Sequence, residues 1–137
     1  MDDRDRFEQG MKTRREVLGS AHVDRSLVNL THFNKDFQDF ITRFAWGEIW
    51  SRPGLSRHTR SLITLAIMTA LNREEEFKMH VRASFNNGVT HAEIKEVLLH
   101  AAIYCGLPSS NCAFQWAQQV LSEQENPKEP TASTEAD

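Results

Sequence analysis

Apolar residues recur at helical spacing along nearly the whole chain, and this pattern limits the possible folds more than any other feature of the sequence. In one stretch they are separated by four, three, one and three positions: Phe33, Phe37, Phe40, Ile41 and Phe44. Such spacing places them on one face of a helix. No stretch alternates apolar and polar residues as a strand does. The sequence therefore predicts an all-α fold.

Turn and cap residues divide the chain into about six predicted helices joined by short loops. Pro53 and Gly54 interrupt the apolar pattern, and Ser56 is the expected N-cap of the helix that follows. Thr90 and Glu93 have the spacing of a capping box. The expected segments are a helix ending at residue 19, then residues 34–50, 57–71 and 74–86, and two helices on either side of residues 106–110.

Length and composition indicate one ordinary domain. A chain of 137 residues can bury a core without disulfides or metals. We expect the domain to cover residues 1–124. The remaining segment, residues 125–137, has no apolar anchor and is expected to be a disordered tail.

Several classes of partner are disfavoured by the composition. The net charge is −3 and no segment concentrates lysine and arginine, so we expect no nucleic acid partner. The longest apolar run is too short to span a bilayer, and we expect no secretion signal, because the first residues contain no apolar run. Cys105 and Cys112 are seven residues apart, which fits neither a CxxC redox pair nor a zinc ribbon. We expect a reduced, cytoplasmic, soluble protein without a metal.

Charged and aromatic residues are concentrated between positions 46 and 60. They are Trp46, Glu48, Trp50, Arg52, Arg57, His58 and Arg60. Arginines near the start of a helix combine fork-shaped donors with free backbone N–H groups, which suits a carboxylate ligand. Tryptophans beside them could wall a pocket for a flat ring. The alternative is that the tryptophans pack in the core and the arginines are solvated.

A second candidate lies in the next helix, where Glu76 and His80 are four residues apart and share a face. A carboxylate beside an imidazole can fix its tautomer and favour its charged form, giving a general acid near neutral pH. Phe77 and Val81 are expected to face the core. The alternative is an exposed pair that adds only a few tenths of a kcal/mol to helix stability.

Longer stretches carry a family resemblance. They read FITRFAWGEIWSRPGLSRHTRSLITLA at residues 40–66 and NNGVTHAEIKEVLLHAAIYCGLP at residues 86–108, with RREVLG and HVDRSL before them and ALNRE and KMHVRA between them. In order and spacing these stretches closely resemble the carboxymuconolactone decarboxylase family of the alkylhydroperoxidase-like superfamily. The resemblance covers residues 5–122.

The resemblance implies an activity. It implies decarboxylation of 4-carboxymuconolactone to 3-oxoadipate enol-lactone and CO₂, in the protocatechuate branch of the β-ketoadipate pathway. No cofactor is expected, because the unsaturated lactone itself accepts the electron pair that CO₂ leaves behind. The resemblance also implies a homo-oligomer, a trimer or a hexamer.

Combining this reaction with the candidate residues gives expected roles. Arg57 and Arg60, with Arg52 as a third candidate, would hold the two substrate carboxylates. The tryptophans, Trp46 and Trp50, would exclude water from the departing carboxylate.

The proton donor is expected among the histidines. His80 would be the acid, oriented by Glu76 or Glu48, and His58 is the second candidate, as donor to the lactone oxyanion.

The peroxidase members of the superfamily provide a competing interpretation. Their CxxC cysteines would fall on Arg73 and Glu76, their histidine on His80, and their proton-relay glutamate on Ser61. The missing thiols disfavour a peroxidase or disulfide reductase, since that chemistry needs a low-pKa thiolate with a resolving partner. A decarboxylase of a related lactone and a non-catalytic helical module that binds small acids or proteins remain alternatives.

Overall fold

Residues 2–125 are described by a computed structural model, and helices make up most of this part of the chain. The helices are α1 (Asp3–Leu18), α2 (Ser20–Val28), α3 (Lys35–Ile41), a π-helical segment (Thr42–Ile49), α4 (Arg57–Leu71), α5 (Glu74–Ser84), a 3₁₀ turn (Phe85–Asn87), α6 (His91–Cys105) and α7 (Leu107–Glu125). No strand occurs between residues 2 and 125. The predicted all-α class is confirmed.

The predicted helices match the observed ones with three corrections. Residues 107–110, predicted to lie between the last two helices, are helical, since α7 begins at Leu107. The expected count of about six omitted α2, a nine-residue helix that starts directly after Gly19. The segment predicted as one α-helix over residues 34–50 changes to π-helix at Thr42. The predicted tail lies outside the described residues, apart from Glu125, which ends α7.

The chain divides into two compact units, Met1–Arg60 and Ser61–Asp137. In the first unit, α1 packs very closely against the π-helical segment at two glycines. A Cβ atom on Gly10 would overlap the backbone carbonyl of Thr42, and one on Gly47 would overlap the backbone carbonyl of Arg6. Only glycine allows backbones to approach this closely. The two glycines therefore fix where α1 crosses the segment that carries Trp46.

The second unit is organised around an apolar core. The core residues are Leu65, Phe77, Val81, Val89, Ile94, Leu98, Ala113, Ala117 and Val120. Phe77 is fully buried, and its ring centroid lies 5.8 Å from that of Trp116. Truncating such a residue typically costs about 3–5 kcal/mol. The predicted inward orientation of Phe77 and Val81 is confirmed, since both are 0% exposed.

The predicted caps are also confirmed. The Thr90 hydroxyl accepts from the Glu93 amide, and the Glu93 carboxylate accepts from the Thr90 amide, which completes the capping box of α6. The Ser56 hydroxyl accepts from the Thr59 amide at 3.1 Å and caps α4. Because the residue types at helix starts follow from backbone hydrogen bonding, these boundaries could be predicted locally.

Several apolar faces remain exposed in the single chain. The stripe that defined the second predicted helix is solvent-facing, with Phe33 95% and Phe37 61% exposed. On α4, Leu65 is buried while Ile63 and Ile67 are more than 40% exposed. None of the helices described between residues 2 and 125 combines the length and hydropathy that a membrane span requires.

Candidate active site

The predicted site residues are distributed over both units. Seven belong to the first: Trp46, Glu48, Trp50, Arg52, Arg57, His58 and Arg60. Glu76 and His80 belong to the second, on α5.

The π-helical segment brings two tryptophan rings together. The ring centroids of Trp46 and Trp50 are 5.3 Å apart, and their planes are tilted by 32°. Trp46 is buried, whereas Trp50 is half-buried. The backbone amide of Trp50 donates to the carbonyl of Ala45, the i→i+5 pattern of a π-helix. The pair therefore has one ring packed inside the unit and one ring partly accessible.

A hydroxyl network fixes the end of this segment to α1. The Ser51 hydroxyl donates to the Trp46 carbonyl at 2.6 Å and lies 2.7 Å from the Thr13 hydroxyl. Because a hydroxyl has only one proton, Thr13 must be the donor to Ser51. The Thr13 oxygen is then available as the acceptor for Arg57, whose Nη2 is 3.5 Å away.

Arg57 is held by groups of α1. Its Nη1 donates to the Glu16 carboxylate, and its Nη2 approaches Thr13. The side chain is 36% exposed, so it is positioned but still accessible. Arg57, which is predicted to bind a substrate carboxylate, is therefore already paired with a carboxylate of the protein, that of Glu16.

Glu48 and Arg52 contact each other. Their side chains are joined by an Nη1–Oε1 contact of 3.2 Å, and Glu48 also lies 3.9 Å from the Arg6 guanidinium. Both members of the Glu48–Arg52 pair are about half exposed. Exposed pairs of this kind contribute at most about 1 kcal/mol.

His58 and Arg60 lie in the first turn of α4 and are half-buried. They therefore share with Arg57 the amino end of a helix, where free N–H groups and the helix dipole favour anions.

His80 and Glu76 differ in their surroundings. His80 is half-buried on α5, between the buried Phe77 and Val81. Glu76 is exposed and makes no hydrogen bond or ion pair with any residue that the structure describes. With Glu75, Met79 and Arg82 it lines a shallow groove of about 200 Å³.

Sequence reasoning missed Arg14, a buried guanidinium in α1. Its side chain is only 7% exposed, and its Nη2 donates to Gln38 Oε1 at 3.5 Å. Burial, with a smaller effect of the neighbouring Arg15 charge, lowers the pKa of Arg14. A signal was present in the sequence, because Gly10, Thr13, Arg14 and Val17 have the spacing of a buried helix face.

Within residues 2–125 no group of three or more His, Cys, Asp or Glu side chains could hold a metal ion. Cys105 and Cys112 are both free thiols and half-buried. Among the described residues of the second unit, one groove lies between α4 and α6 and another between α6 and α7, and His80 lines neither of these two.

Comparison with known proteins identifies the class. A model of the carboxymuconolactone decarboxylase family matches residues 35–119. The chain belongs to this family. It is 59% identical over 123 residues to a 4-carboxymuconolactone decarboxylase of Acinetobacter baylyi, covering 90% of this chain and 92% of that protein.

Two other relatives extend the comparison. The chain is 44% identical to a nitrosuccinic acid decarboxylase of Metarhizium robertsii, over 85% of this chain and 82% of that protein. A 4-carboxymuconolactone decarboxylase sequence of Pseudomonas putida is 54% identical over 48 residues, all of that sequence and 35% of this chain. Relatives that cover most of the chain are thus named as decarboxylases.

Proposed function

We propose that the chain catalyses decarboxylation of 4-carboxymuconolactone to 3-oxoadipate enol-lactone and CO₂. The observation that carries this proposal is the similarity of the chain to the Acinetobacter baylyi enzyme, at 59% identity over 90% of this chain. The coverage extends over both units and includes nearly all of the described helices.

The reaction needs an anion site, oxyanion stabilisation and one proton. Breaking the bond between the γ-carbon and its carboxylate releases CO₂ and leaves an electron pair on that carbon. The ring double bond conveys this charge to the lactone carbonyl, giving a furan-like dienolate. Protonation of the α-carbon then forms the enol-lactone. Groups that stabilise the oxyanion and deliver the proton lower the barrier most.

His80 is our proposed acid. An imidazole is protonated to a useful extent near neutral pH. The half-buried position of His80 supports the role, because the side chain lies on a helix with buried residues and is not fully solvated. His58 remains the second candidate, as oxyanion donor at the start of α4. Orientation of the acid by Glu76 or Glu48 stays a prediction.

Arg57 and Arg60 are our proposed carboxylate-binding residues, with Arg52 as a third. Arg57 and Arg60 share the first turn of α4, where the helix dipole adds to their positive charge. Trp46 and Trp50 are proposed to keep water from the departing carboxylate. The close approach of their rings supports this role, since desolvation of a carboxylate favours loss of CO₂.

The second relative supports a general decarboxylase mechanism. Nitrosuccinic acid is a four-carbon diacid with a nitro group, and a nitro group accepts negative charge as a lactone carbonyl does. Both compounds contain a succinate unit, two carboxylates on neighbouring carbons, next to an electron-withdrawing group. A substrate of this type other than 4-carboxymuconolactone is therefore the second candidate, favoured by the 44% identity to that relative.

The exposed apolar faces support our proposal that the chain forms a homo-oligomer, a trimer or a hexamer. In the second unit, Ile103 is 79% and Tyr104 78% exposed. Patches of this kind commonly mark protein interfaces. We also propose that the protein is located in the cytoplasm.

The test is to mix the purified chain with fresh 4-carboxymuconolactone and follow CO₂ and enol-lactone together. Nitrosuccinate and an alkyl hydroperoxide with dithiol reductant are assayed in parallel. We expect CO₂ release from the lactone. Release of CO₂ from nitrosuccinate but not from the lactone would favour the second candidate substrate. Peroxide reduction that is lost on thiol alkylation would support the peroxidase alternative instead.

A further inference from the structure

Arg14 is a buried positive charge that lacks a carboxylate partner. Its side chain is 7% exposed, yet no carboxylate between residues 2 and 125 lies within ion-pair distance. Its Nε atom is buried without a hydrogen-bond partner. Its Nη2 atom donates a long hydrogen bond of 3.5 Å to Gln38 Oε1. The guanidinium edge formed by Nε and Nη2 is therefore almost unsatisfied.

This arrangement is unfavourable in the unliganded chain. Removing a charged group from water is costly unless an opposite charge and good hydrogen bonds replace the hydration. The effect is visible in the direction of the Arg14 pKa, which burial lowers. An arginine nevertheless keeps its proton at neutral pH. Arg14 therefore stays charged and uncompensated until an anion arrives.

Two other arginines of the same unit are arranged differently. Arg57 is paired with Glu16, and Arg15 is paired with Asp24 at 2.9 Å. These partners lie on α1 and α2, so carboxylates are available nearby in the sequence. Of these three arginines, only Arg14 is both nine-tenths buried and without such a partner among the described residues.

We propose that Arg14 binds a carboxylate of the substrate through its Nε–Nη2 edge. This edge presents two parallel N–H donors, the geometry that matches a carboxylate bidentately. Gln38 is only half-buried, and its weak contact with Arg14 is the one that the ligand would replace. The ligand class is a dicarboxylate containing a succinate unit. This inference rests on the proposed function.

The probe for the test is homocitrate γ-lactone. It is the saturated analogue of 4-carboxymuconolactone and bears the same two carboxylates. Without the ring double bond, an electron pair left by CO₂ could not reach the carbonyl, so the probe binds without reacting. Binding is measured by calorimetry and by the shift of the thermal midpoint, and turnover of 4-carboxymuconolactone is measured separately.

The variants are Arg14→Gln and Arg14→Lys, with Arg4→Gln as the matched control. Arg4 is an arginine of the same helix, 86% exposed. We expect Arg14→Gln to weaken probe binding and raise KM by roughly tenfold to a hundredfold, the size of a lost charged hydrogen bond, with a smaller change in kcat. Arg14→Lys should recover part of the affinity, since it keeps the charge without the fork. Arg4→Gln should match the wild type.

Stability without ligand separates a binding role from a structural one. Because Arg14→Gln removes an uncompensated buried charge, its unliganded thermal midpoint should equal or exceed that of the wild type. A clear fall in the midpoint, or failure to fold, would assign Arg14 a structural role and overturn the proposal. Probe affinity equal to that of Arg4→Gln would overturn it as well, as would a wild type that does not bind the probe.

Failure of the proposed function would look different. If the wild type binds the probe through Arg14 but releases no CO₂ from 4-carboxymuconolactone, the carboxylate site stands and the substrate assignment fails. If the wild type is active and Arg14→Gln is equally active and binds equally well, the assignment of Arg14 fails and the activity stands.

Discussion

The guanidinium of Arg57, at the start of α4, is paired with the carboxylate of Glu16 on α1. The same guanidinium approaches the hydroxyl of Thr13, which is fully buried and joined to Ser51. The two contacts hold the first turn of α4 against α1. Because Arg57 is already paired, an incoming substrate carboxylate would have to share Arg57 with Glu16 or displace Glu16 from it.

Arg57→Ala should mainly raise KM. We expect a rise of about tenfold, close to the lower end of the range for a hydrogen bond to a charged group, with kcat changed much less. Steady-state kinetics with 4-carboxymuconolactone measures both values. Arg25→Ala, an exposed arginine on α2, is the control and should be unchanged. Unaltered kinetics of Arg57→Ala would place the anion site elsewhere.

His80→Ala should lower kcat by about two orders of magnitude or more, the usual contribution of a general acid. The fold should survive because His80 is half-buried rather than part of the core. Circular dichroism and the thermal midpoint check the fold. His32→Ala, at an exposed histidine, is the matched control. A His80→Ala variant with near wild-type kcat would exclude the acid role and turn attention to His58.

Gly47→Ala should destabilise the chain by roughly 1–3 kcal/mol, the typical cost of forcing an extra methyl group into a packed contact. The new Cβ would overlap the Arg6 carbonyl. The thermal midpoint should fall by several degrees. Gly54→Ala is the control, because a Cβ there meets no atom within 4 Å. Equal midpoints for the two variants would mean that the helix crossing can relax.

Ile103→Glu should reduce the size of the assembly. Ile103 is 79% exposed on α6, and a buried carboxylate would oppose association. Light scattering after size-exclusion chromatography measures the mass. Gln119→Glu introduces the same charge at an exposed position of α7 and should leave the mass unchanged. A wild-type mass of 15.7 kDa would contradict the oligomer.

The helices and their boundaries were largely predictable, because they depend on neighbouring residues. The Thr90–Glu93 capping box and the Ser56 cap could be identified from residue type and spacing. The close approach of Gly10 and Gly47 to the opposing backbone, which accompanies the π-helical segment, could not. The spacing of residues along the sequence contains no information about that contact.

The candidate site was predictable in part. The chemistry of the reaction requires cations and an acid, so arginines and histidines could be selected from the sequence. The partner of Arg57 could not be predicted, because Glu16 is 41 positions away in the sequence. Arg14 could not be selected either, because in the sequence it is one of several charged residues in a polar helix. Burial without a carboxylate partner among the described residues distinguishes Arg14 from Arg15, and burial is a property of the tertiary structure.

The most direct measurement is the yield of CO₂ and enol-lactone from fresh 4-carboxymuconolactone, for the wild type and His80→Ala, in buffer containing a metal chelator. We expect one CO₂ and one enol-lactone for each lactone consumed by the wild type, and a decrease in the rate of about a hundredfold or more for His80→Ala. A wild type that leaves the lactone intact would contradict the account.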